Sequence, residues 1–420
     1  MLADARQLPL DRGDAMTTAT DRPGPLDGLR VVDFSGMISG GFATLTLADF
    51  GADVVFAEHP DHPDPLREWP PFENGVSLWW KAIARNKRCV TLNLSTDDGR
   101  ELALDLVRDA DVVFENFRPG TMERWGLGYE DLRAVNESVI MVRISGYGQT
   151  GPRSEKPGFG TVAEGISGWA HANGFPDREP LLPPISLADL TAAQFAVMST
   201  LMAVFERDVG RGGGSGEGQV VDVSLYEPLF RLFVGEVEQF DREGTVRERR
   251  GNQHPNAAPR GVYETADGHV TLSASNQRIW ERVATAIDRE DLIDEDRFAT
   301  NEKRVENADA LDAEIEAWTR EHPTGEVIET IEAEGGILGP VYDMRDIFAD
   351  EQYAARENVV AVDDDEVGRF RTHGVVPKFS RTPGAVTHAG PPHGAHNVEV
   401  YSELGRTAEE IATLEREGTI

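Results

Sequence analysis

Leu29-Arg-Val-Val-Asp33, a turn holding Gly36 and Gly40-Gly41, the apolar run Phe42 to Phe50, and Gly51-Ala-Asp-Val-Val-Phe-Ala-Glu58 decide the architecture. The first and last pieces are β-branched and short, and the middle piece has helical spacing. Strand, helix and strand in that order predict two parallel strands joined by a right-handed crossover. The pattern recurs, with strands over Val90–Leu94 and Asp111–Glu115 flanking a helix over Asp97–Asp109. Val139–Ile144 is a further strand. Beyond the proline-rich stretch 176–184, Leu190–Glu206 is predicted as a long buried helix, Gly210–Gly218 as a hinge and Gln219–Ser224 as a strand. The fold class is α/β, a Rossmann-like large domain around a parallel sheet.

From about residue 230 the texture becomes more polar. A hairpin over Val262–Leu272 turns at Asp267-Gly268, and acidic amphipathic helices fill Gln277–Thr330. The expected division is a frayed extension over 1–24, the first part of the large domain over 25–228, a small α+β domain over 229–335, and a return to the large domain over 336–420, ending in a helix near Thr407–Glu417. The first 27 residues carry acids and prolines without the apolar centre of a signal peptide, and Met16 is an alternative start.

The net charge is −33, from 74 acids and 41 bases, and only five of those bases are lysines. The acids are dispersed, and the densest run is Asp363-Asp-Asp-Glu366. Such a surface suits concentrated salt, where the screening length shrinks to about 3 Å at 1 M. No basic stripe exists to neutralise phosphates, which argues against nucleic acid. No uninterrupted apolar run reaches the roughly 20 residues of a membrane span. Cys89, the single cysteine, lies in the strand-like Arg88-Cys-Val-Thr-Leu92 and is expected to be buried filler. A cytoplasmic location is the default.

The glycines of the first turn, Gly36-x-x-x-Gly40-Gly41, depart from the spacing that lets a backbone approach pyrophosphate. An oxidoreductase is therefore disfavoured. His388, His393 and His396 gather in a Gly/Pro loop without a paired acid or cysteine, a poor basis for a metal site.

Pro25-Leu-Asp-Gly-Leu-Arg-Val-Val-Asp-Phe34, Leu47–Val55, Arg85-Asn-Lys-Arg-Cys-Val-Thr-Leu92, Glu115-Asn-Phe-Arg-Pro-Gly120, Ser145-Gly-Tyr-Gly-Gln-Thr-Gly-Pro152, Ser186-Leu-Ala-Asp189 and Gly218–Ser224 follow one another along the chain. In that order they resemble the class III CoA-transferase family, the superfamily of formyl-CoA transferase, carnitine CoA-transferase and methylacyl-CoA racemase. The resemblance implies that Asp189 is the nucleophile. Ala193 stands where the family usually has glycine. It also implies exchange of one thioester for another through an aspartyl-CoA intermediate, with coenzyme A as substrate and no permanently bound cofactor, ATP or metal. Lys87, Arg88, Arg118 and Arg124 are the implied phosphate contacts, with Asn116 and Phe117 along the path of CoA and His59 as a further candidate.

Phe159 stands where the racemase branch has histidine, and a phenyl ring cannot transfer a proton. Ile38 stands where formyl- or oxalyl-selective relatives have glutamine. The segment Gly251-Asn-Gln-His254-Pro-Asn-Ala-Ala-Pro-Arg260 resembles the one that reaches the acyl pocket. Arg260 suggests a small dicarboxylate such as succinate, mesaconate or a malate-like acid, since a guanidinium binds a carboxylate bidentately. A local acid paired with Arg260 explains it equally well. An interlocked-ring homodimer is the implied assembly. A 2-methylacyl-CoA racemase and a non-catalytic CoA-binding protein are the alternatives.

Overall fold

The computed structural model describes residues 24–420. The expected extension over 1–24 thus lies, apart from Gly24, outside the described residues. The chain forms two compact units. The first takes residues 24–167, Pro183–Val234 and Glu351–Ile420, and the second takes Gly168–Leu182 and Gly235–Asp350.

The first unit is built on six parallel strands, β1 (Arg30–Asp33), β2 (Asp53–Glu58), β3 (Arg88–Thr91), β4 (Val112–Glu115), β5 (Ile140–Ser145) and β6 (Val220–Ser224). Their spatial order is β3-β2-β1-β4-β5-β6. The direction of winding therefore reverses between β1 and β4. In open α/β sheets ligands bind beyond the carboxyl ends of the strands at that point.

Between β1 and β2 runs α1 (Met37–Asp49), which is buried on nearly every side. It packs against the long helix α4 (Leu187–Gly213), which buries Ala188, Ala192, Ala193 and Ala196, while Gly40 and Gly41 of α1 leave room for Ser35 and Ile83. The amphipathic α2 (Asp97–Arg108) has Thr96 as its cap, accepting from the Gly99 amide at 3.0 Å, and buries Leu102, Ala103, Leu106 and Val107. α3 (Gly160–Ile166) lies against α4.

Helix α4 begins earlier than the sequence pattern suggests, and its backbone leaves helical angles at Gly210–Gly212, within the expected hinge. Among the described residues α4 alone is long and apolar enough, by length and composition, to cross a membrane. Asp189 and Glu206 bracket its apolar middle, so counting uninterrupted runs passes over it. It packs on β5 and β6 of the sheet.

The second unit holds an antiparallel sheet of β7 (Arg260–Glu264), β8 (His269–Ser273) and β9 (Leu338–Pro340). Helices α5 (Gln277–Ala286), α6 (Asn301–Glu306), α7 (Ala308–Thr319) and α8 (Thr324–Ala333) accompany it. Tyr263, Trp280, Val283, Leu311, Ile315 and Val327 form its core. The acidic run at 363–366 is more than solvated surface. Asp364 and Glu366 receive the buried Lys81 ammonium at 2.7 and 2.8 Å and fasten that loop to the first unit's core.

Candidate active site

The turn after β1 is set by a buried ion pair. Asp33, fully buried, accepts from the Ser35 amide at 3.0 Å and from the hydroxyls of Ser35 and Thr44. The Lys87 ammonium, 1% exposed, lies 3.4 Å from Asp33 and donates to Gly41 O at 2.9 Å and Thr44 Oγ1 at 2.7 Å. All its partners are internal, so Lys87 supports the turn from beneath instead of offering a free charge to a phosphate.

Asn116, at the end of β4, accepts from the Gly36 amide at 3.0 Å and donates to Gly36 O at 2.7 Å. Its amide is occupied by the neighbouring loop, which makes it a brace across the switch point. Met37 has a φ of 59°, a left-handed conformation that costs a non-glycine residue energy. Asp64 holds it there, accepting from Met37 N at 2.7 Å. Ile38, 4% exposed, packs in an apolar cluster with Leu45, Phe56 and Trp80, with Leu190 alongside. It supplies packing and no polar contact.

Arg88 is engaged as well. Its guanidinium grips Asp53 at 2.7 and 3.0 Å and also reaches Glu403 and Glu399. Arg118 and Arg124 are exposed beside Phe117, whose ring meets Trp125 edge-on at 5.1 Å. Arg124 donates to Thr121 Oγ1, and neither arginine has a carboxylate partner among the described residues. The turn that carries them is fixed by Glu115, which accepts from Phe117 N at 2.8 Å and pairs with the buried Arg143. His59 accepts the Asp61 amide on Nδ1, and its ring lies 4.8 Å from that of His62. Burial, then the charge of His62, holds its imidazole below the usual range. His393 reaches the His59 carbonyl, His388 that of Ala389, and His396 accepts from Cys89 N. The three thus serve separate backbone groups. Cys89 is buried, and desolvation pushes its thiol up.

Asp189 is the third residue of α4, inside its first turn and not at its cap. Burial, and then the charge of Glu164, pushes its carboxyl up to about 6. Among the described residues no cation lies within ion-pair reach of it. Gly160, the first residue of α3, faces it so closely that any Cβ there would collide with Asp189 Oδ2. One helical turn on, Glu164 is 4% exposed and accepts from the Ala188 amide at 3.3 Å. Sequence reading passed over Glu164. The i, i+4 spacing of Gly160 and Glu164 is the signal that puts both on one face. Phe159, just before α3, is 72% exposed.

In the second unit His254 accepts from the Asn256 amide, and burial followed by the charge of Arg260 lowers its imidazole. Arg260, at the start of β7, is exposed, and among the described residues no carboxylate pairs with it. Behind this segment Asn301 accepts from Ala258 N and donates to Asn256 O, and the buried Arg304 donates to Ala258 O at 2.8 Å.

The doubly wound sheet and its braced switch point place the protein among α/β folds, with a half-buried carboxylate, Asp189, in the first turn of a long helix. The CoA-transferase family III model matches residues 26–397, and the chain belongs to that family. Succinyl-CoA–D-citramalate CoA-transferase of Chloroflexus aurantiacus is 40% identical over 95% of this chain and 98% of its own length. Succinyl-CoA:mesaconate CoA-transferase of Haloarcula marismortui is 34% identical over 91% and 97%. A CAIB/BAIF family protein from Brucella suis superposes with a TM-score of 0.80 at 31% identity, over 91% of this chain and all of that one. The protein is a family III CoA-transferase.

Proposed function

We propose that this transferase moves CoA from succinyl-CoA to a small dicarboxylate, in the class of mesaconate and citramalate, with Asp189 as the nucleophile. The observation that carries the reading is the Asp189 carboxylate, half-buried without a cation and pushed up to about 6, and hence unusually basic for an aspartate. Asp189 attacks the donor thioester carbonyl; a C–O bond forms, the C–S bond breaks, and a mixed anhydride and CoA thiolate result. The thiolate attacks the aspartyl carbonyl and displaces the donor carboxylate, leaving aspartyl-CoA. The acceptor carboxylate then displaces the thiolate to form a second anhydride. Attack of the thiolate on its acyl carbon releases the new acyl-CoA and restores Asp189. Water has to be excluded, since hydrolysis of any of these forms destroys the thioester.

Arg118 and Arg124, with Phe117 next to Arg118 in the chain, are assigned to the phosphates and adenine of CoA, while Lys87, Asn116 and Ile38 shape the loop beside them. Arg260 is assigned to the distal carboxylate of the acceptor. A homodimer fits the family, and Met202, Phe205 and Val209, left exposed along α4, are the apolar surface proposed to meet the partner. A cytoplasmic location and function in concentrated salt complete the reading. The test is exchange of labelled CoA between succinyl-CoA and free acids. Wild-type protein is expected to label citramalyl- or mesaconyl-CoA, and Asp189→Ala to label neither while still binding CoA. Turnover by Asp189→Ala would remove the nucleophile from this role. Deuterium entering the α-carbon of 2-methylacyl-CoA would mean a racemase instead.

A further inference from the structure

We propose that Glu164 is a positioning residue that acts through Asp189, its negative charge favouring every form of the enzyme in which Asp189 has lost its own. The inference rests on Asp189 being the nucleophile.

The geometry comes from two helices. Gly160 and Glu164 occupy one face of α3 a turn apart, and that face meets the start of α4. Gly160 leaves the space the Asp189 carboxylate fills. Glu164 reaches the Ala188 amide, one of the free N–H groups at the start of α4 and one residue before Asp189. Negative charge is favoured at that end of a long helix. Two carboxylates therefore share one helix start, and among the described residues no cation comes within ion-pair distance of either.

Like charges held together in a poorly solvated place disfavour each other. Protonation of Asp189 relieves the repulsion, and so does acylation, because anhydride and aspartyl-CoA are both uncharged at the aspartyl group. Removing the Glu164 charge should then weaken proton binding and acyl binding by similar factors. Glu164 is also the one titratable neighbour that raises Asp189, after burial itself. Burial remains in a neutral variant, so only part of the elevation should vanish.

Glu164→Gln keeps an oxygen for the Ala188 amide and removes the charge. The acid limb of its kcat/KM profile should move down by about 0.5–1 pH unit, since that limb reports the free enzyme's essential base. The aspartyl-CoA trapped from succinyl-CoA without acceptor should fall by a matching factor of roughly 3–10, as one pH unit corresponds to tenfold. Glu164→Asp keeps the charge and should leave the limb in place. Glu164→Met repeats the neutral test if the Gln variant does not fold. A folded neutral variant with unchanged limb and unchanged trapping would overturn the proposal, and so would equal shifts in the Asp and Gln variants. Asp189→Asn is the separate control. If it still transfers CoA, the nucleophile assignment fails; if it is inactive while Glu164→Gln behaves as wild type, only the role of Glu164 fails.

Discussion

Asn116 closes a two-way hydrogen bond with Gly36, joining the loops that follow β1 and β4 on either side of the switch point. One side-chain amide thus satisfies both polar backbone groups of a residue 80 positions away in sequence. Asn116→Ala leaves both groups without that partner. It should cost about 1–3 kcal/mol in urea unfolding and raise KM for acyl-CoA more than it lowers kcat.

Asp189 links activity to stability with opposite signs. Its carboxyl is raised from 3.8 to about 6 in the folded protein. A raised acid favours folding when protonated, so that contribution is full below pH 3.8 and is lost as pH rises through about 6. Asp189→Asn should therefore be the more stable protein at pH 7.5, by about 1–3 kcal/mol after allowance for partial solvation. The advantage should vanish below pH 4, as read from denaturation midpoints across the range, while transfer is lost at every pH.

Lys87 and Arg118 look alike in the sequence and should behave differently on mutation. Lys87→Met strands the buried Asp33 and should cost about 3–5 kcal/mol of stability. Arg118→Ala and Arg124→Ala alter exposed side chains and should leave stability within about 0.5 kcal/mol. Each should raise KM for acyl-CoA roughly 10-fold if a charged hydrogen bond to phosphate is lost. The increase should shrink with dephospho-CoA thioesters for whichever arginine holds the 3′-phosphate.

Arg260→Met tests the acceptor class. KM for dicarboxylate acceptors should rise roughly 10- to 100-fold while monocarboxylates change little. Equal losses for both would assign Arg260 a structural part.

A net charge of −33 repels itself at low ionic strength. Melting temperature should climb steeply as KCl rises from 0.1 to about 1 M, where the screening length approaches 3 Å, and more slowly beyond. A flat response would separate the acidic composition from any need for salt.

The sequence alone carried the order of strands and helices, because alternation and helical spacing are local properties of a chain that buries one face. It also pointed to Asp189, through a resemblance spread over many short segments, none of them diagnostic alone. The partners of the charges were not legible. Lys87 and Arg88 stand side by side at the start of β3, and nothing nearby in sequence says that one ammonium turns inward to Asp33 while the next guanidinium turns outward to Asp53, Glu399 and Glu403. Successive side chains of a strand point to opposite faces, and which face is buried depends on what packs there. Here that is α1, supplied from a different stretch of chain. Glu164 was hidden for the same reason. Its relation to Asp189 exists only where α3 packs on α4, and a like-charge pair across two helices is a property of that packing, held by Gly160 having no side chain to keep them apart.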